Sequence, residues 1–162
     1  MTTENIYSAP QSDVTAVLDT SNEIEIFPRI SAWMVFFLMI PTLGLYYYYW
    51  LYSRTKLVNS LPNRSLSTTI PTIMFSLAIL SLPISILQNV NKELVILAVV
   101  SGIISLVNLV FILITLFSFR GALQHILQSS GASDSNLSGI KTFFFGAIFL
   151  QYRINKAIDE KK

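Results

Sequence analysis

Hydrophobic positions are gathered into three long stretches that carry no charged side chain. They run from residue 30 to 53, from 65 to 91 and from 94 to 119. Because about 20 apolar residues in a helix cross the core of a bilayer, each stretch is long enough to span it. The pattern predicts membrane-spanning helices at about 30–52, 70–88 and 94–128. The last of these continues past its apolar stretch with apolar residues on one face.

A fourth predicted helix, at about 140–159, has a much shorter apolar core. Its unbroken apolar run, with one glycine included, covers the eight residues 143–150. Eight helical residues extend about 12 Å, which is far less than the thickness of a bilayer core. The sequence therefore predicts an all-α integral membrane protein, with three transmembrane helices and a fourth short helix that is amphipathic or re-entrant.

The first 28 residues have the composition of a polar tail. They contain five acidic residues and no Lys or Arg, and their apolar residues are scattered. So little apolar surface cannot offset the entropy that is lost when a segment becomes ordered. We therefore expect residues 1–28 to be disordered and dispensable for folding, and residues 29–162 to form the helical membrane domain.

Two prolines lie inside the predicted spans. Pro41 removes the helical hydrogen bond to the carbonyl of Phe37, and Pro83 removes the bond to Ile79. Both are expected to kink their helices. Packing is the favoured interpretation of these kinks, and a broken-helix transport site is the alternative.

The composition removes several classes of function. Of the 162 residues, 52% are hydrophobic and none is cysteine, so the chain has neither a disulfide nor a thiol site. A net charge of +2 gives no basis for nucleic-acid binding. The three apolar stretches lack the Asp, Glu, Lys, Arg and His residues that pumps and ion-coupled carriers use. We predict no catalytic, cofactor-binding or metal-binding residues, and a protein that is not an enzyme.

An aromatic patch at residues 46–52 ends the first predicted span, and it holds six of the nine Trp and Tyr residues. Successive residues of a helix are turned by about 100°, so its four consecutive tyrosines cannot all line one pocket. An interfacial belt of rings with hydrated hydroxyl groups is the favoured interpretation. Alternatively, some rings face the bundle and line a ligand or lipid site, for which the candidates are Tyr46, Tyr49 and Trp50.

A stripe of small and polar residues follows one face of the third predicted span. It consists of Ala98, Ser101, Gly102, Ser105 and Asn108. Small residues allow a second helix to approach closely, and Ser or Asn can bond across the contact. Packing within the chain is the favoured interpretation, and contact with a second copy or a partner's helix is the alternative. We expect Asn108 to be buried, because an amide that faces lipid would lack hydrogen-bond partners.

Motifs in the first and last predicted helices resemble those of a known family. The first helix contains T-x-G-x-Y and then Y-W-x-Y, and the chain ends with L-Q-x-x-x-N. The motif residues are Thr42, Gly44, Tyr46, Trp50, Gln151 and Asn155. They resemble the signature of a small uncharacterised bacterial membrane family, a domain of unknown function. The resemblance implies a location in the bacterial inner membrane and supplies no activity.

The positions of Lys and Arg predict an orientation, because cytoplasmic loops are enriched in them. If three helices span and the N-terminus is outside, nine basic residues lie inside and two, Arg29 and Lys92, lie outside. We therefore predict an outer N-terminus and a cytoplasmic C-terminus. The leading functional hypothesis is a non-enzymatic accessory or assembly protein, with the bilayer and a protein partner or a second copy as its contacts. The alternative is a small transport or lipid-handling protein with a site beside the aromatic patch.

Overall fold

The protein is helical along its described length. The computed structural model describes residues 20–62, 64–90 and 95–161, and within these ranges it contains helices and no strand. A 3-10 helix covers Thr20–Ile26. The α-helices are α1 (Ala32–Met39), α2 (Leu45–Asn59), α3 (Thr69–Val90), α4 (Val95–Ser129) and α5 (Gly139–Asp159). The all-α prediction is confirmed for these residues.

Two helices, α3 and α4, are long and apolar enough to cross a membrane. Their 22 and 35 residues extend about 33 and 53 Å. They pack against each other as an antiparallel pair, in which Gln88 donates a hydrogen bond to the hydroxyl of Ser101 (2.7 Å). The pair corresponds to the second and third predicted spans, and α3 continues through Pro83 as one helix.

The first predicted span is divided into two helices. α1 ends at Met39, α2 begins at Leu45, and Pro41 lies in the turn between them. Leu43 and Gly44 have φ angles of 50° and 85°, and a right-handed helix cannot pass through such residues. The expected kink at Pro41 is a complete break, so the prediction of one helix over 30–52 is wrong.

The two halves of this segment form a hairpin. Nε2 of Gln151, on α5, donates to the carbonyl oxygen of Pro28 (3.3 Å), and its Oε1 accepts from the indole of Trp50 (3.0 Å). Pro28, which precedes α1, and Trp50, which lies in α2, therefore bond to the same amide group. A straight helix would place Pro28 about 33 Å from Trp50. The α1–α2 hairpin thus takes the place of the first predicted helix, at residues 30–52.

The first and last described residues lie near the same end of the α3–α4 pair, where α3 begins and α4 ends. Glu23 accepts a hydrogen bond from Arg64, which lies in the link between α2 and α3 (2.8 Å). Arg29 forms an ion pair with Asp159 at the end of α5 (2.8 Å). A bilayer core of about 30 Å cannot separate groups that are in contact. The first helical segment therefore folds back, and the location of the termini relative to a membrane stays a prediction.

Part of the predicted tail is packed on the helices. Ile24 and Phe27 are buried, and the ring of Phe27 meets that of Phe119 edge-on at 6.3 Å. Glu23 is buried as well, where Arg64 and Ser129 both donate to its carboxylate. Two apolar side chains and one ion pair are thus enough to dock residues 20–28, which departs from the expected disorder. The remainder of the tail, residues 1–19, lies outside the described residues.

α5 bends sharply at Gly146, inside the apolar run that defined the fourth predicted helix. The φ and ψ angles of Gly146 are 42° and −121°, and a Cβ there would lie 3.2 Å from the hydroxyl oxygen of Tyr47. Both the backbone angle and the close contact therefore favour glycine. Before the bend, residues 143–145 are exposed phenylalanines, whereas Leu150 and Ile154 after it are buried.

The buried core occupies one end of the bundle. It is formed where the 3-10 helix, the end of α4 and the second part of α5 meet α2; its large buried side chains include Ile24, Trp50, Leu51, Phe119, Leu123, Ile126, Leu127, Leu150 and Ile154. In the most apolar 18-residue window of α4, only 6% of the residues are buried among the described residues. The chain therefore covers the α3–α4 pair mainly at one end.

Labelling of single cysteines tests this arrangement, since the native chain has none. Cysteines are placed at Glu25, at Gln128 and at Val90, all of which are exposed. A membrane-impermeant thiol reagent should label Glu25→Cys and Gln128→Cys from one side and Val90→Cys from the other. Labelling of Glu25→Cys and Val90→Cys from the same side would show that the first helical segment crosses the membrane.

Candidate functional site

A buried polar network joins α2, α5 and the segment before α1. At its centre is Gln151, which is completely buried. Its Oε1 accepts hydrogen bonds from the indole of Trp50 (3.0 Å) and from Nη2 of Arg54 (3.1 Å). Its Nε2 donates to the carbonyl of Pro28 (3.3 Å) and to Oδ1 of Asn155 (2.9 Å). Both lone pairs and both N–H groups of the amide are thereby used, as a buried amide requires.

Arg54 brings a positive charge into this network. Only 3% of the residue is exposed, and its guanidinium carbon lies 5.7 Å from the centre of the Trp50 ring. The ring's electron-rich face stabilises a cation at this distance. Nε of Arg54 has no hydrogen-bond partner among the described residues. Trp50 and Gln151 therefore supply the contacts that compensate for burial of this charge.

Asn155 extends the network to the beginning of α1. It lies one helical turn beyond Gln151, so the two side chains share one face of α5. Its Nδ2 donates to the carbonyl oxygen of Ile30 (2.7 Å). The two family-like motifs, one around Trp50 and the other containing Gln151 and Asn155, therefore meet in space although about 100 residues separate them.

The remaining motif residues build the turn of the α1–α2 hairpin. The hydroxyl of Thr42 donates to the carbonyl of Leu38 (2.6 Å) and accepts from the backbone N–H of Tyr46 (3.1 Å). One side chain thus bonds to a free carbonyl at the end of α1 and a free N–H at the start of α2. Gly44 supplies the positive φ angle between the helices.

The aromatic patch is distributed around α2, as the angle between successive residues predicts. Trp50 is buried in the network, whereas 56% of Tyr49 is exposed. Tyr46 is half-buried, and its ring centre lies 5.9 Å from that of Tyr49. The three candidate ligand aromatics therefore occupy different environments. Of the other rings, Tyr48 contacts α4, where its hydroxyl accepts from Nδ2 of Asn108 (2.7 Å).

The small and polar stripe on α4 has two kinds of environment. Asn108 is buried and bonded to Tyr48, and Ser101 is bonded to Gln88. By contrast, Ala98, Gly102 and Ser105 are exposed. Beyond its own helix backbone, no described atom lies within 4 Å of the position that a Cβ on Gly102 would take. Asn108 and Ser101 thus hold helices together, and the other three members leave an open surface.

A second polar cluster, which the sequence did not indicate, fixes the loop before α5. Arg153 is buried and donates to the carboxylate and the backbone carbonyl of Asp134. The hydrogen bonds from Arg153 and Lys156 hold the pKa of Asp134 below its usual value. Similarly, hydrogen bonds from Ser133 lower the pKa of Glu160. Residue spacing does not predict these pairs, because 19 residues separate Asp134 from Arg153.

The groups of the central network are suited to a structural role. Indole, amide and guanidinium groups do not exchange protons readily near neutral pH. Acid–base catalysis instead needs a group whose pKa lies near the working pH. The arrangement is therefore suited to holding the α1–α2 hairpin against α5.

A family model covers most of the chain. The family is described as a domain of unknown function (DUF4234), and its model matches residues 30–160. The match begins just before α1 and ends just after α5, so it includes the hairpin, the α3–α4 pair and the central network. No curated protein and no solved structure matches the chain.

Replacement of Gln151 tests the importance of the network. Gln151→Leu leaves the indole N–H of Trp50 and the guanidinium of Arg54 without their acceptor, and should lower the free energy of unfolding by about 2–4 kcal/mol. Gln151→Glu keeps the acceptor oxygens and loses both donated bonds, so its effect should be smaller. Thermal unfolding in mild detergent measures both. Gln128→Leu, at an exposed position, is the control, and an equal loss in Gln151→Leu and the control would contradict the assignment.

The contact between Asn108 and Tyr48 can be tested with a double-mutant cycle. Asn108→Leu removes the interhelical hydrogen bond and adds bulk, and should cost roughly 0.5–2 kcal/mol. Tyr48→Phe removes only the hydroxyl group. If the two groups interact, the double variant should lose less stability than the two single losses combined, by about 0.6 kcal/mol. Additive losses would show that the hydrogen bond contributes nothing to stability.

Proposed function

The chain belongs to the DUF4234 family, and we propose that it is a non-enzymatic accessory or assembly protein of a bacterial inner membrane. It acts through helix–helix contacts in the bilayer with a second copy or another membrane protein, and it uses neither a cofactor nor nucleic acid. The observation that carries this proposal is the uncovered part of the α3–α4 pair. The motifs of the first and last helices support the bacterial location.

The proposed topology has α3 and α4 as the spans, with both termini in the cytoplasm. In such a topology the segment between α3 and α4 faces the outside and contains one basic residue, Lys92. The other ten of the eleven Lys and Arg residues fall in segments on the opposite side. This bias favours a cytoplasmic location for that side. The α1–α2 hairpin then enters the membrane from the cytoplasm and returns to it.

The proposed contact surface is the open part of the stripe on α4, formed by Ala98, Gly102 and Ser105. Side chains of this size let helix backbones approach closely, which strengthens packing between membrane helices. The surrounding side chains are large and exposed, including Val99, Ile103 and Leu106. A partner helix would therefore find a shallow groove with an apolar rim.

The internal packing favours this role over a transport or lipid-handling site at the aromatic patch. Trp50 is 1% exposed and its indole is bonded to Gln151, so its ring is part of the buried core and does not line a site open to a ligand. Tyr48 and Asn108 are bonded to each other between α2 and α4. These pairs use the indole N–H of Trp50 and the amide nitrogen of Asn108, while Oδ1 of Asn108 is buried without a hydrogen-bond partner among the described residues.

Cross-linking from single cysteines tests the contact surface in native membranes. Ser105→Cys and Gly102→Cys are modified with a thiol-reactive benzophenone and irradiated. Val100→Cys is the matched control, because this exposed position lies at nearly the same depth and is turned by about 160° from Gly102. The proposal expects a protein adduct of defined mass from the first two positions and much less from the control.

The mass of the adduct distinguishes the occupants. An adduct of twice the chain mass indicates a second copy, and another defined mass indicates a different membrane protein. Equal, diffuse cross-linking from all three positions would overturn the contact surface, since it would mean that lipid covers this face.

A further inference from the structure

A cleft lies between the beginning of α1 and the end of α5, and Asn155 of the central network forms part of its lining. Its volume is about 670 Å³, within the usual range of about 300–1,000 Å³ for small-molecule sites. The side chains that define its chemistry are Arg29, Trp33, Tyr152, Lys156, Asp159 and Glu160. The cleft therefore combines charges of both signs with aromatic rings.

The charged groups lie at the rim in two neighbouring pairs. Arg29 donates from Nε and Nη2 to the carboxylate oxygens of Asp159, at 2.8 and 2.9 Å. Nζ of Lys156 lies 3.8 Å from a carboxylate oxygen of Glu160 and 3.2 Å from one of Asp134. Ser133 donates to both carboxylate oxygens of Glu160, which keep further lone pairs for a ligand. The side chains of Arg29 and Asp159 are 57% and 47% exposed, and a guanidinium has five N–H donors. A ligand with both a positive and a negative group can therefore bind without burying an uncompensated charge.

The aromatic and apolar surroundings indicate a ligand that also enters a membrane. Trp33 and Tyr152 are 70% and 56% exposed, and such rings prefer the level of lipid headgroups. From Trp33, the exposed surface of α1 continues through Phe36 and Phe37 to Ile40, all of them apolar. The cleft thus lies next to a surface suited to acyl chains.

We propose that this cleft binds the headgroup of a phospholipid that carries a primary ammonium beside its phosphate, as phosphatidylethanolamine does. Arg29 and Lys156 bind the phosphate oxygens. Asp159 and Glu160 accept hydrogen bonds from the ammonium, and the acyl chains lie along α1. A quaternary ammonium, as in phosphatidylcholine, has no N–H group to donate to the carboxylates. A headgroup without a cation, as in phosphatidylglycerol, leaves the two carboxylates close to a phosphate of the same charge, so both lipids should bind more weakly.

Native mass spectrometry of the delipidated full-length protein tests the site. Phosphatidylethanolamine, phosphatidylcholine and phosphatidylglycerol are added with identical acyl chains. Because about 1.4 kcal/mol corresponds to a factor of ten and a charge-assisted hydrogen bond contributes at least that much, we expect about tenfold greater retention of phosphatidylethanolamine over phosphatidylcholine. Glycerophosphoethanolamine, which has the headgroup but no acyl chains, should not compete at equal concentration.

Variants at the rim separate this site from general lipid adhesion. Asp159→Asn should remove most of the preference for phosphatidylethanolamine over phosphatidylcholine, and Glu160→Gln provides a second test from the other pair. Glu25→Gln, which removes an exposed carboxylate elsewhere, should preserve the preference. Equal retention of the three lipids, stronger retention of phosphatidylglycerol, an unchanged preference in both rim variants or competition by the soluble headgroup would each overturn the proposal. None of these outcomes depends on the proposed helix contact.

Discussion

The hydrogen bonds of one buried amide determine how the first third of the chain is arranged. Gln151 holds Pro28 on one side and Trp50 and Arg54 on the other, so α1 and α2 must fold back on each other. The turn of the hairpin is built for this reversal, with Thr42 bonding to both helices and Gly44 in the left-handed conformation. If the amide were lost, the indole and the guanidinium would remain buried without an acceptor, which is far more costly than losing a hydrogen bond at the surface.

The hairpin gives the molecule two unlike ends. At the end that contains the network, the 3-10 helix and α5 pack on α4, and α2 packs on both α3 and α4. Together they form a core like that of a soluble protein. At the other end, α3 and α4 are covered by little of the described chain. An uncovered pair of helices remains stable in lipid, because all its backbone hydrogen bonds are satisfied within the helices. The same exposure leaves its side chains available to a partner.

The motif residues have structural roles in this arrangement. Thr42 and Gly44 form a turn, and Trp50, Gln151 and Asn155 form the network that holds the hairpin against α5. These residues explain how the chain folds and supply no reactive group. Surfaces that can contact other molecules lie elsewhere, on the open face of α4 and in the cleft between α1 and α5.

The sequence by itself determined where the two longest apolar helices, α3 and α4, lie. Long uncharged runs identify α3 and α4 almost to the residue, because the cost of placing a charge in hydrocarbon is a local property of the sequence. For residues 30–52 the sequence predicted one spanning helix, because an apolar run by itself does not distinguish a straight helix from a hairpin. That choice depends on Gln151, which lies about 100 residues further along the chain. The docking of Ile24 and Phe27 and the contact between Glu23 and Arg64 depend on interactions between residues far apart in the chain, so only the tertiary structure decided them.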